Sequence, residues 1–201
     1  MIVANYCGVN IEEIAVQSGS DEEKNLQKRG LGTYPALDVD GTLISDSWAI
    51  AAYIARSSGK ASLLGNSDFE QAEVDQWMDF LRSETEPIVK ALQWYTFGHA
   101  ECSSAAEYNF IYNSYKDNVK VINKHLGGKT NMVGNVLTIA DIYMVLTQVE
   151  MQQALIDPNL RNSLQFFNAV FKNVTELDCF KQRMGAVKQG KKQMLPTFEQ
   201  K

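Results

Sequence analysis

The stretch from Thr33 to Arg56, TYPALDVDGTLISDSWAIAAYIAR, constrains this chain more than any other. Tyr34-Pro35 opens a short apolar run, Asp40-Gly41 reverses it into a second run, and Asp46-Ser47 leads directly into an apolar helix. An Asp-Gly pair between two alternating segments is a strong short-range hairpin signal. Asp46 or Ser47 ahead of WAIAAYIA has the residue type of a helix N-cap. The chain is therefore expected to build strand, turn, strand and helix in that order, close to its N-terminus.

Composition narrows the classes of function. With 201 residues, 45% of them apolar and 21% charged, the chain has the balance of one large globular domain or two small ones. A net charge of −5 argues against nucleic acid as a direct partner. No apolar run approaches the roughly 20 residues that cross a bilayer, so no membrane association is expected. The opening MIVANYCGVNIEE lacks a basic region followed by a long apolar one, as a secretory signal would have. Cys7, Cys102 and Cys179 are odd in number and widely spaced, which fits buried thiols in a reducing, cytoplasmic setting.

The texture of the chain changes near SGKASLLGNS. Before it, short mixed elements are expected: the end of a helix over Ile2–Cys7 closed by Gly8, a strand over Asn10–Val16, a polar helix over Asp21–Arg29, then the hairpin and its helix. After it the pattern is helical. Ser67 with Glu70 and Ser104 with Glu107 are capping-box pairs. Phe69, Trp77, Met78, Leu81 and Ile88 recur at helical spacing, as does the stripe Tyr108, Ile111, Tyr112, Tyr115, Val119, Ile122 and Leu126. A third helix should start at Thr138, with shorter ones over 164–171 and 177–184. The tail KQGKKQMLPTFEQK has too few apolar residues for a packed helix and should be extended or mobile. The expected division is a small mixed domain over 1–62, an all-helical domain over 67–187 and a lysine-bearing tail over 188–201.

Few residues are candidates for chemistry. Tyr34-Pro35 reads either as a cis bond, turning the Tyr34 backbone toward a peptide-like ligand, or as an ordinary trans proline starting an edge strand. Asp46-Ser47 reads either as a carboxylate-binding helix start or as simple capping. Thr138 and Asp141 in LTIAD form a capping box, with Leu137 and Ile142 as its hydrophobic staple, so Asp141 is a structural residue of a buried helix. His99 and His125 stand far apart, and no cluster has metal-ligand spacing. Lys188, Lys191 and Lys192 read as a solvated tail.

The residues TYPALDVDGTLISDSWAIAAYIA resemble the proline, hairpin and helix start of glutathione transferases, and LTIAD resembles the capping box of their helical domain. The QW pair in EVDQWMDF, the stretch Pro87–Gly98, the segment ALIDPNLRNSLQFFN and the exit Phe180–Lys192 are similar to the transferase-like domain of the gamma subunit of eukaryotic elongation factor 1. The resemblance covers nearly the whole chain. It implies a glutathione-transferase-like fold, α/β plus all-α, in which a thioredoxin-like domain lacking its first strand and the start of its first helix precedes an all-helical domain. The residue that activates the glutathione sulfur lies in that missing part, and Tyr6 and Cys7 align with the helix end instead. The resemblance then implies no catalytic residue, with Tyr34, Pro35, Asp46 and Ser47 as the glutathione grip if glutathione is bound at all. The implied function is a non-catalytic scaffold anchoring the guanine-nucleotide-exchange subunits of elongation factor 1, as a homodimer across the first two helices of the helical domain. An active glutathione transferase and an adaptor in another assembly are the alternatives.

Overall fold

Asp40 and Gly41 determine the shape of the first part of the molecule. Both adopt positive φ, 48° and 88°, in the computed structural model, which describes residues 1–30 and 32–198. Two central residues with positive φ are what a tight hairpin turn needs to match the strand twist. The turn joins β1 (Ala36–Val39) to β2 (Thr42–Ser45), an antiparallel pair in the register Ala36↔Ser45 to Val39↔Thr42. The Asp38 carboxylate accepts the Gly41 N–H at 2.9 Å, closing the turn from inside.

The hairpin belongs to the unit Met1–Leu64. Around it lie α1 (Ile2–Cys7), α2 (Asp21–Arg29) and α3 (Ser47–Ser57). Ser20 caps α2 by accepting the Glu23 N–H, and three acidic residues in the first turn complement the helix dipole. α3 packs against α1, burying Ala52, Ile54 and Ala55 on one side and Ile2, Val3 and Ala4 on the other. A 3₁₀ turn over Ala61–Leu64 adds Leu63 and Leu64 to this core.

The strand expected over Asn10–Val16 does not form. Residues 9–17 have no regular structure, and among the described residues β1 and β2 pair only with each other. Alternation gives a segment an extended shape, but a strand exists only through a ladder that satisfies its N–H and C=O groups. Ile14, which that strand would have used, is 68% exposed.

The second unit, Gly65–Lys201, is helical. α4 (Asp68–Asp79) passes through a π-helical stretch, Phe80–Thr85, into α5 (Glu86–Thr96). α6 (Ala105–His125) buries Tyr108, Tyr112, Tyr115, Val119 and Ile122, a stripe at alternating spacings of four and three. α7 (Ile139–Glu150) is buried on most sides and also ends in a π-helical stretch, Met151–Leu155. Ser67 and Ser104 cap α4 and α6 by accepting the N–H groups of Glu70 and Glu107. Phe69 is 73% exposed, so it is not part of the α4 core stripe.

Three short helices finish the unit: α8 (Pro158–Ser163), α9 (Gln165–Thr175) and α10 (Asp178–Met184). α9 runs past its expected end at Phe171, because Val174 continues its buried face past the polar Lys172 and Asn173. α8 is a further helix, not expected from the sequence, started by the Asp157 cap with Pro158 in the first turn. After α10 the chain is extended. Gly190 donates its N–H to Gln152 O at 3.0 Å, and Met194 donates to Ala154 O at 2.7 Å. These carbonyls lie in the last turn of a helix, where intrahelical donors run out. Residues 199–201 of the expected tail lie outside the described residues. Among the described residues no helix is long and apolar enough to cross a membrane.

Candidate functional site

The register of the hairpin brings the sequence candidates together. Ala36 opposite Ser45 places Tyr34 and Pro35 at the same end of the hairpin as Asp46 and Ser47. Neighbouring strands run about 4.8 Å apart, so the two segments share one small surface. The Tyr34-Pro35 bond is cis. The Tyr34 ring is exposed and its hydroxyl donates to Glu23 Oε1 at 3.4 Å. Local desolvation and then the Glu23 carboxylate push that phenol above its ordinary pKa.

Asp46 takes an unusual backbone conformation, φ 83° and ψ 127°, that L-residues seldom adopt. Its Oδ1 accepts the N–H groups of Trp48 at 3.0 Å and Ala49 at 3.1 Å. The first-turn donors that could receive a ligand carboxylate are thus taken by the cap itself. Ser47 is exposed at the first helical position and leaves its N–H and hydroxyl at the surface. This end of the hairpin thus presents the exposed Tyr34 and Ser47, while the Asp46 carboxylate is engaged by the first turn of α3.

The other end of the hairpin is clamped by a residue that sequence reading missed. Arg29 Nη2 donates to Asp38 Oδ2 at 2.6 Å and to Gly41 O at 3.0 Å, tying α2 to the turn. The guanidinium holds the Asp38 carboxyl below its ordinary pKa, with the Gly41 N–H adding to the effect. No local spacing announces this pair, which the loop after α2 brings together.

Thr138 and Asp141 sit in the helical unit. Asp141 Oδ2 accepts the Thr138 N–H at 2.8 Å and the Thr138 hydroxyl at 2.9 Å, while Oδ1 accepts the Met132 N–H at 2.6 Å. Burial raises the Asp141 pKa, and these donors oppose the rise. His125 meets Met132 O at 2.6 Å through Nε2, and its ring stands 4.2 Å from that of Trp77. Cys7, Cys102 and Cys179 are not joined to one another by disulfides; Cys179 is buried, and Cys7 and Cys102 are partly exposed. Among the described residues no group of three or more His, Cys, Asp or Glu could hold a metal ion.

Comparison with known proteins gives three concordant findings. The glutathione S-transferase N-terminal domain family matches residues 1–62. A probable elongation factor 1-gamma 2 of Arabidopsis thaliana is 36% identical over 150 residues, covering 72% of this chain and 36% of that protein. Elongation factor 1-gamma 1 of Oryza sativa subsp. japonica is 28% identical over 194 residues, covering 94% of this chain and 46% of that protein. The chain therefore spans between about a third and a half of these relatives. The crystal structure of the GST-like domain of elongation factor 1-gamma from Saccharomyces cerevisiae superposes with a TM-score of 0.83 at 15% identity, covering 98% of this chain and 91% of that one. That likeness shows the fold, which is glutathione-transferase-like with a two-stranded sheet and a helical remainder.

Proposed function

We propose, for a chain that belongs to the glutathione transferase superfamily in its elongation factor 1-gamma branch, that it works as a protein-docking module. In this reading it anchors the guanine-nucleotide-exchange subunits of elongation factor 1 in the cytoplasm and has no turnover of its own. The observation that carries the reading is the reach of the likeness. Similarity to elongation factor 1-gamma runs through both units, 28% identity over 94% of the chain, and reaches 36% identity over 72% of it.

A pull-down with the purified exchange subunits tests this reading. Retention at micromolar concentration supports it, and none at that concentration overturns it. A homodimer through the α4–α5 stretch and α6, the first two helices expected from the sequence, belongs to the same proposal. Phe69 on α4 and Trp94 on α5, 73% and 56% exposed, are the kind of side chains that interfaces cover. Light scattering at increasing protein concentration measures it.

The second reading is a glutathione-binding transferase, favoured by the exposed Ser47 at the end of the hairpin that also carries Tyr34 and Pro35. A calorimetric titration with millimolar glutathione, followed by a conjugation assay with a generic electrophile, separates the two.

A further inference from the structure

The chain after α10 does more than end the helical unit. It forms a strap, tied to the π-helical stretch by the Gly190 and Met194 N–H groups, and Arg161 Nη1 donates to Gly190 O at 2.8 Å. Beyond these ties the strap and the N-terminal half of α6 enclose a groove of about 340 Å³. Gln193 and Leu195 of the strap form one wall, Tyr108, Tyr112 and Lys116 of α6 another, and Asp157 and Leu160 the end. A volume of this size lies at the lower end of the range for ligand sites.

The polar lining of this groove includes one cation, Lys116, and two phenol hydroxyls. The Tyr108 side chain is 2% exposed and lines the groove, and its hydroxyl lies beside Thr96 and Gln193. The Tyr112 hydroxyl already accepts the Asp157 N–H at 2.7 Å, so its proton is what it has left to give. Burial pushes this phenol up to about 12, which keeps that proton in place at neutral pH. Lys116 Nζ stands 5.8 Å above the centre of the Tyr112 ring, a cation–π position, and no ion pair of Lys116 occurs among the described residues. The one carboxylate in the lining, Asp157, caps α8 through Oδ1, which accepts the N–H groups of Asn159 and Leu160 at 2.9 Å. Lys188, Lys191 and Lys192 lie exposed along the strap and give it a positive charge on a chain of net charge −5.

We propose that this groove binds an acidic, extended peptide segment of a partner protein, with a carboxylate received by Lys116 and the hydroxyls of Tyr108 and Tyr112. Leu160 and Leu195 take an apolar side chain of the same segment, and the strap lysines meet its further acidic residues. An extended segment fits because the strap itself is extended and offers length, while the groove accommodates only a side chain or two. The inference rests on the docking reading and assigns it a face and a partner chemistry.

The test uses the full chain and a fluorescein-labelled peptide of alternating leucine and glutamate, read by anisotropy. Saturable binding is expected, with at least a tenfold loss of affinity in Lys116→Glu. Lys24→Glu, an equal charge change on the other unit, should alter it less than twofold. Equal weakening by both variants, or no binding of the peptide at millimolar concentration, overturns the proposal. So does equal or tighter binding of a labelled oligothymidine of the same charge, which would make the groove an anion patch for nucleic acid. Circular dichroism confirms that the Lys116 variant is folded, and Asn113→Leu provides a second lesion beside Lys116 that should also weaken binding. A pull-down that retains the exchange subunits equally well with Lys116→Glu removes this groove and leaves the docking reading intact. A pull-down that fails with the unaltered chain removes that reading itself.

Discussion

Asp141 reaches back past the start of α7 to hold Met132 by its backbone, Oδ1 accepting the Met132 N–H at 2.6 Å. The other carboxylate oxygen takes both donors of Thr138. One buried side chain thus ends the loop after α6 and starts the most buried helix of the unit. Asp141→Ala leaves those donors unpaired and should cost about 2–4 kcal/mol, more than a simple cap. Asp141→Asn keeps an acceptor and should cost less. The pH dependence has a definite sign. Burial raises the folded-state pKa of Asp141, so its contribution is greatest below the unfolded value near 3.8 and declines as pH rises through the folded value. The margin of the native protein over Asp141→Asn should therefore widen as pH is lowered through that window. Urea unfolding of the three proteins between pH 3.5 and 7 measures this, and a margin that narrows on acidification would contradict it.

Tyr115 and Gln148 form a second buried pair, in which the phenol donates to Gln148 Oε1 at 2.9 Å with both side chains fully buried. Gln148 Nε2 has no partner among the described residues. Tyr115→Phe should cost about 1–2 kcal/mol, because it leaves the amide oxygen unpaired as well. Gln148→Met removes an unsatisfied donor and strands the phenol, so its cost should be smaller. The double variant should be less destabilised than the sum of the two, since an apolar pair leaves nothing unpaired. Additive losses in a double-mutant cycle would show that the hydrogen bond contributes nothing.

What could be read from the sequence was whatever depends on neighbours along the chain. Asp40-Gly41 predicts its own hairpin, Ser67, Ser104 and Thr138 announce helix starts, and the tyrosine stripe of α6 predicts its buried face. The strand expected over Asn10–Val16 fails because a strand needs a ladder partner that alternation cannot supply. At the hairpin site, the candidates Tyr34, Pro35, Asp46 and Ser47 are local, and the register alone explains why they meet. Arg29 on Asp38, Arg161 on Gly190 and the groove beside Tyr108 depend on long-range packing and leave no spacing to find. Asp157-Pro158 is a different kind of omission, since a cap followed by proline in the first turn is a readable start for α8.

Gly190 should prove irreplaceable for a reason unrelated to turn geometry. A Cβ at this position would stand 2.2 Å from Gln153 O, and a backbone oxygen within a helical turn cannot move aside. Gly190→Ala should lift the strap away, losing the Gln152 and Arg161 bonds to residue 190. The expected cost is about 1–3 kcal/mol, the range for overpacking. Limited trypsin digestion provides the direct readout: cleavage at Lys188, Lys191 and Lys192 should accelerate severalfold in the variant. Unchanged cleavage would mean that the strap is not held where it lies.

Asp46 combines two opposing terms in one residue. Its side chain satisfies two first-turn donors of α3, while its backbone sits at φ 83°, in a region that costs an L-residue roughly 1–2 kcal/mol. Asp46→Asn keeps the side-chain oxygen and tolerates positive φ, so it should be nearly neutral. Asp46→Gly gives up the cap but relieves the strain, and should cost well under 1 kcal/mol. Asp46→Ala gives up the cap and keeps the strain, and should lose about 1–2 kcal/mol. Denaturant midpoints should therefore rank the native protein and Asn together, then Gly, then Ala. Alanine equal to or above glycine would mean that residue 46 leaves the left-handed region once its side chain is removed. In that case the hydrogen bonds to Trp48 and Ala49, and not the hairpin end itself, hold Asp46 in its strained conformation beside Ser47.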